Sequence, residues 1–200
     1  MKKIKNLSAI QLIALCMAII SVLWICKNTV YFVMEKTGAK TEVLSADDFE
    51  LVGIIKDENG NYVSTDSDPQ LILKKDMKIA RVSIVGEFSV NPGEMVVYYT
   101  QKEGQGFAPH KRYWIYKESD SNTYTASMPL KKLKSLRIDP TTFAGNTMQI
   151  KEIVLNKPKA FIEYFKPTFS DIFNLIVFSC VISSIICLLK DLFKSYDIKS

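Results

Sequence analysis

No cysteine stands between Cys26 and Cys180; the four in the chain, Cys16, Cys26, Cys180 and Cys187, sit in two apolar runs near the termini. A disulfide framework for the middle of the chain is excluded, and no zinc-type spacing exists. The middle must fold by packing alone. Histidine is scarce too, with His110 the single example. A serine–histidine–acid relay needs a base held by an acid beside a nucleophile. No G-x-S-x-G elbow accompanies His110, which stands in a loop with Gly104, Gly106 and Pro109 and reads as a surface residue. Charge is the third absence. Leu7 to Cys26 and Ile172 to Leu189 contain no Asp, Glu, Lys or Arg. About 20 residues of helix at ~1.5 Å each match the ~30 Å hydrocarbon core of a bilayer.

Both runs therefore read as transmembrane helices. The first is longer than the apolar region of a cleaved leader and no small-x-small site follows Cys26, so a retained anchor is expected. Leu15 before Cys16 and Ile25 before Cys26 also speak against a lipidated cysteine. Lys2, Lys3 and Lys5 precede the first run, and Lys190, Lys194 and Lys199 follow the second. Lysine-rich short flanks favour the cytoplasm. Two spans with both termini cytoplasmic place the central domain outside the cell membrane. That domain is nearly charge-balanced, so the net charge of +5 comes mostly from the termini and gives no sign of nucleic-acid binding. The expected organisation is a cytoplasmic lysine-rich tail and first helix over 1–34, a linker over 35–46, a β-sandwich over 47–156, a return linker over 157–168, and the second helix with its tail over 169–200.

The middle reads as β. Apolar or alternating runs appear at Phe49–Ile55, Leu71–Leu73, Lys78–Val85, Met95–Tyr99, Tyr113–Tyr116, Thr123–Ala126, Ser135–Ile138 and Met148–Leu155, with turn signals at Glu58-Asn-Gly-Asn61 and Asn91-Pro-Gly93. No amphipathic helix separates them. Short strands joined by turns argue for an antiparallel sandwich.

The segment Leu136-Arg-Ile-Asp-Pro140, then Ala144-Gly145, then Gln149-Ile-Lys-Glu-Ile-Val-Leu155 resembles the closing strands of a bacterial jelly-roll module. That module is galactose-binding-like and of carbohydrate-binding type. It is found attached to membrane glycosyltransferases of cell-surface polysaccharide assembly. Asp68-Pro-Gln-Leu71 and the pair Tyr98 and Tyr99 are similar to its earlier strands. The resemblance covers roughly 47–156 and implies an all-β extracytoplasmic jelly-roll sandwich flanked by two transmembrane α-helices. It also implies an architectural turn built from Arg137, Asp139, Pro140 and Gly145. The larger proteins carry a catalytic region that these residues do not include.

The binding candidates are aromatic: Tyr98, Tyr99, Phe107, Tyr113, Trp114 and Tyr116, with Arg112 among them. Flat rings suit the apolar faces of pyranoses, and the same rings suit a core. Strand alternation puts Trp114 and Tyr116 on one face and Tyr113 and Ile115 on the other, and one of these pairs must be core. Acidic pairs such as Asp47/Asp48 read as solvated turns. Asp66 and Asp68 offer the oxygen ligands that a structural calcium needs on a loop; no other cofactor or metal is expected. In the membrane runs, Ala14 and Ala18, and Ser179 and Ser183, recur at the spacing that lets helices approach closely. Gln11 and Asn174 look like polar groups in search of a partner on another chain.

These readings combine into a non-enzymatic membrane accessory protein. It presents a carbohydrate-binding-like sandwich and partners a glycosyltransferase, a polytopic membrane protein, in polysaccharide assembly or modification. The alternatives are a membrane-anchored enzyme acting on glycans or lipids, discriminated by a cleft of convergent acids, and a scaffold or sensor, discriminated by a large apolar patch for a protein partner.

Overall fold

The computed structural model describes residues 8–119 and 121–197, with side chains as far as Leu192. Lys2, Lys3, Lys5 and Lys199, on which the expected orientation leans, lie outside the described residues. The chain divides into two units, Met1–Phe32 with Lys159–Ser200, and Val33–Pro158.

The first unit is helical. Helix α1 spans Ala9–Gly38, α2 is a single turn at Phe161–Tyr164, and α3 spans Phe169–Asp197. Both α1 and α3 are long and apolar enough to cross a membrane. Each begins with a reciprocal capping box. Ser8 N–H donates to Gln11 Oε1 (3.0 Å) while Gln11 N–H donates to Ser8 Oγ (3.4 Å). Thr168 N–H donates to Asp171 Oδ2 (2.9 Å) while Asp171 N–H donates to Thr168 Oγ1 (3.2 Å). Gln11 is thus engaged in its own helix, and Asn174 donates to Ser170 Oγ (3.3 Å) one turn back. Each of these side chains thus has a bond within its own helix or cap.

Ser179 and Ser183 are buried, and their hydroxyls donate to the carbonyls of Leu175 and Cys180. On α1 the buried residues are Leu12 and Cys16, whereas Ala14 and Ala18 are exposed. Two residues are about 200° of helix, which carries the alanines to the far side from Leu12 and Cys16. The stretch expected as a plain return linker contains α2, whose Phe161 and Tyr164 rings meet Phe32 edge-on at 5.0 and 5.4 Å.

Among the described residues the second unit holds nine strands: β1 Glu42–Leu44, β2 Glu50–Val52, β3 Ile54–Lys56, β4 Tyr62–Ser64, β5 Gln70–Phe88, β6 Met95–Thr100, β7 Arg112–Lys117, β8 Thr123–Asp139 and β9 Thr147–Leu155. All pairings are antiparallel, and the order is β3-β4-β9-β5-β8-β6-β7, with β1 on β9 and β2 on β5. This is the antiparallel jelly-roll sandwich that the resemblance implies.

Strand β5 has 19 residues. Straight, it would run about 60 Å, beyond the roughly 35 Å breadth of a domain this size. It bends instead, with register shifts between Lys74 and Met77 and between Ile79 and Arg81. Before the bend, Leu71–Ile79 pairs with Ile138–Lys131 of β8; after it, Val82–Phe88 pairs with β9 and with Ala126–Thr123. Both long strands therefore serve both layers. Between the layers lie Leu71, Val97, Leu136 and Ile138 from one side and Val82, Ile84, Met148 and Ile153 from the other, none more than 0% exposed.

The linker expected over 35–46 is mostly structured. Helix α1 runs through Gly38, and Glu42–Leu44 pairs with Leu155–Ile153. Asn156, in the left-handed region at φ 55°, ties the two chain ends of the unit together. Its Oδ1 accepts from Ala80 N–H (2.8 Å), and its Nδ2 donates to the Lys40 and Lys78 carbonyls (2.9 and 2.8 Å). Thr41 Oγ1 donates to its carbonyl (3.0 Å). Beside it, the buried Arg81 donates to the Lys157 carbonyl and pairs with Glu35 at 3.2 Å.

Candidate functional site

Strands β6, β7 and β8 build one outward face. Register pairs Tyr98 with both Arg112 and Arg137, and Val96 with both Trp114 and Asp139. Alternation turns Met95, Val97 and Tyr99 of β6 and Ile115 of β7 into the core, all at most 6% exposed. It turns Tyr98, Arg112, Trp114, Tyr116 and Arg137 out. Tyr116 is 69% exposed. Arg112 lies over the Trp114 ring at 4.9 Å and Arg137 over the Tyr98 ring at 5.0 Å. The result is a row of flat rings interleaved with flat cations on a rigid sheet.

Arg137 is committed. Its Nε and Nη2 donate to the two oxygens of Asp139 (2.6 and 2.8 Å), and Nη2 donates to Asp68 Oδ1 (2.5 Å). Burial works against its charge, but the bonds and charge of Asp139 and Asp68 outweigh it and hold the guanidinium more firmly protonated. Burial pushes the Asp139 carboxyl up, against the pull of Arg137. Together the three side chains clamp the start of β5 to the end of β8, ahead of the buried Pro140. Gly145 follows at φ 74°, next to Asn146, which is 0% exposed. Asn146 Nδ2 donates to Thr141 Oγ1 (3.1 Å), and its Oδ1 accepts from Ser89 Oγ (3.1 Å).

Tyr99 and Tyr113, counted from the sequence among the glycan contacts, are turned inward. Their rings stack at 5.9 Å, and Lys131 Nζ donates to both hydroxyls (2.7 and 2.9 Å). Burial alone would lower the Lys131 ammonium; the two hydroxyls outweigh it and keep it charged to higher pH than a free lysine. Tyr99 is buried and Tyr113 half-buried, because each sits one residue off the outward register. Phe107 is half-buried in the loop between β6 and β7, and His110 is exposed there. Of the seven candidate contacts, the fold gathers Tyr98, Arg112, Trp114 and Tyr116 on the outer face.

At the end of this face a cleft of about 570 Å³ opens where β5 ends and β7 meets β8. Phe88, Asn91, Tyr116, Lys117 and Tyr124 line it. Phe88 meets Tyr124 edge-on at 5.0 Å, and Lys117 lies over Tyr124 at 5.8 Å. Tyr116 belongs to both the face and the cleft. The sequence reading missed Tyr124 and Phe88; their signal was the turn Asn91-Pro-Gly93, which brings β5 and β6 to one end. Asp66 accepts from Asp68 N–H (2.9 Å), and among the described residues no three Asp, Glu, His or Cys side chains converge as metal ligands.

No protein-family model and no curated protein matches the sequence. Among solved structures the chain is similar to several carbohydrate-binding modules. A xylan-binding module of Roseburia intestinalis has 11% identity and a TM-score of 0.38, with 58% of this chain and 95% of that one covered. A carbohydrate-binding module produced by Clostridium perfringens has 16% identity and a TM-score of 0.38, covering 62% and 98%. The C-terminal family 6 module of a laminarinase from Zobellia galactanivorans has 11% identity and a TM-score of 0.37, covering 59% and 100%.

Proposed function

We propose that this chain is a non-enzymatic membrane accessory protein that contacts glycan through the outer face of its β-sandwich. Helices α1 and α3 would cross the cell membrane with both termini in the cytoplasm, and the sandwich would stand outside. The observation that carries the reading is the row of Tyr98, Arg112, Trp114 and Tyr116 on strands rather than on a mobile loop. Ring faces held this way stack on the apolar C–H faces of a sugar, and strand-borne side chains lose little further freedom on binding. The test is a glycan array probed with the full-length chain in lipid nanodiscs. Binding of one or a few glycans is expected, with Trp114→Ala and Tyr116→Ala each weakening it about tenfold or more, the scale of an aromatic anchor. Absence of any bound glycan, or binding that ignores both substitutions, overturns the reading.

The finer part of the proposal is a polytopic glycosyltransferase as partner in cell-surface polysaccharide assembly. It is supported by the late-strand sequence resemblance. Purification in mild detergent should recover such a transferase with the chain. Recovery of the chain alone, at natural expression level, argues against it.

A further inference from the structure

Cations on and beside the outer face divide into two groups. Arg137 is held by Asp139 and Asp68, Lys74 by Glu50 at 2.7 Å, and Lys134 by Asp76 at 2.8 Å. Arg112 is different: it is exposed and has no carboxylate partner among the described residues, and its one strong neighbour is the Trp114 ring. A guanidinium lying over a ring keeps N–H donors available for a further partner. The loop and second strand of the same hairpin hold more base than acid, with Glu118 following directly after β7. Residues 102–117 hold Lys102, Lys111, Arg112 and Lys117 against the single acid Glu103. Glu103 adds to the field around Lys134. Strand β7 is the last strand of the order, its far end Tyr116–Lys117 pairing with Thr125–Tyr124 of β8, and Arg112 stands at its other end beside the exposed rings.

Building on the glycan-binding reading, we infer that the face takes an acidic glycan, one bearing carboxylate or phosphate groups. Trp114 and Tyr116 stack on the sugar rings, and Arg112 donates two N–H groups to the oxygens of an acid group as a bidentate pair. A neutral glycan would find the same rings but leave the hairpin's charge unanswered.

The experiment titrates the full-length chain, in phosphatidylcholine nanodiscs, with four probes: oligogalacturonate, its methyl ester, poly(glycerol phosphate) and dextran. At least one acidic probe should bind about tenfold or more tightly than both neutral ones, the ratio expected of one charge-assisted bidentate contact. That preference should shrink with added salt. Arg112→Gln should abolish the preference and Arg112→Lys should keep part of it, with thermal melting unchanged because the side chain is exposed. Neutral probes bound as tightly as acidic ones, with Arg112→Gln silent, would overturn the inference and leave glycan binding standing; Arg112 would then serve only to keep an edge strand from pairing with another chain. Failure of all four probes overturns the inference as well. If the glycan array is also blank, the broader reading falls with it.

Discussion

Asn156 connects three stretches of chain with one amide: the end of β9 to which it belongs, the bend of β5 at Lys78 and Ala80, and the approach to β1 at Lys40. Removing that amide leaves buried backbone groups without partners, at about 1–3 kcal/mol for each. Asn156→Ala should cost about 3 kcal/mol in a denaturant titration, the positive φ adding to the lost bonds. Asn156→Gly relieves the dihedral but not the bonds, so it should recover only the smaller part. A charged counterpart is Asp57. Its carboxylate accepts from the Asn61 side chain and from the N–H groups of Asn61 and Asn59, which hold its pKa below the ordinary range. A depressed carboxyl contributes stability at neutral pH and loses it as pH falls through the folded-state value. The melting temperature of Asp57→Asn should therefore fall less than that of the parent between roughly pH 5 and pH 2. Equal falls would assign the acid sensitivity elsewhere.

Among elements, the two long strands set the fold. Gly86 sits at the register shift between β5 and β9, and a Cβ there would stand 2.6 Å from the Gln149 carbonyl oxygen. Backbone cannot yield as a flexible side chain can, so Gly86→Ala should destabilise the sandwich by about 1–3 kcal/mol. Leu136→Ala, which empties a fully buried site between the layers, should cost about 2–5 kcal/mol in the same assay. The apolar runs did announce most strand positions, because alternation is a local signal. They did not announce that Leu71–Leu73 and Lys78–Val85 are one strand. The intervening Lys74-Lys-Asp-Met77 looks like a loop because it lies where the strand crosses between layers and its outer side faces water. Thr123–Ala126 and Ser135–Ile138 are likewise one strand, β8, joined through Pro129 and a lysine-rich stretch. Gly53, at φ 63°, had the opposite effect and split a single run into β2 and β3. Pairing partners such as β9 for β1 carry no local mark at all. At the candidate site, alternation predicted that one aromatic pair must be core. It could not say that Tyr99 would join Tyr113 there, since that depends on which face of β6 meets the other layer.

For the molecule as a whole, placement across the membrane is the property most open to a direct test. The four native cysteines lie in the two apolar helices. A new one at exposed Ser119, as Ser119→Cys, should react in intact cells with a membrane-impermeant maleimide if the sandwich stands outside. Labelling that appears only after lysis would overturn the proposed orientation. The sandwich has a further trait with consequences beyond binding. Its first and last strands are hydrogen-bonded neighbours, Glu42 opposite Leu155, so the chain leaves it about 5 Å from where it came in. The order in which the strands are encoded is then separable from their arrangement in space. A circular permutant opened at the exposed Gly104, with Thr41 and Asn156 bridged by a short linker, would retain every strand pairing. By the same geometry the sandwich is a cassette: inserted into a connection or cut out of it, it leaves the spacing of the flanking chain almost unchanged.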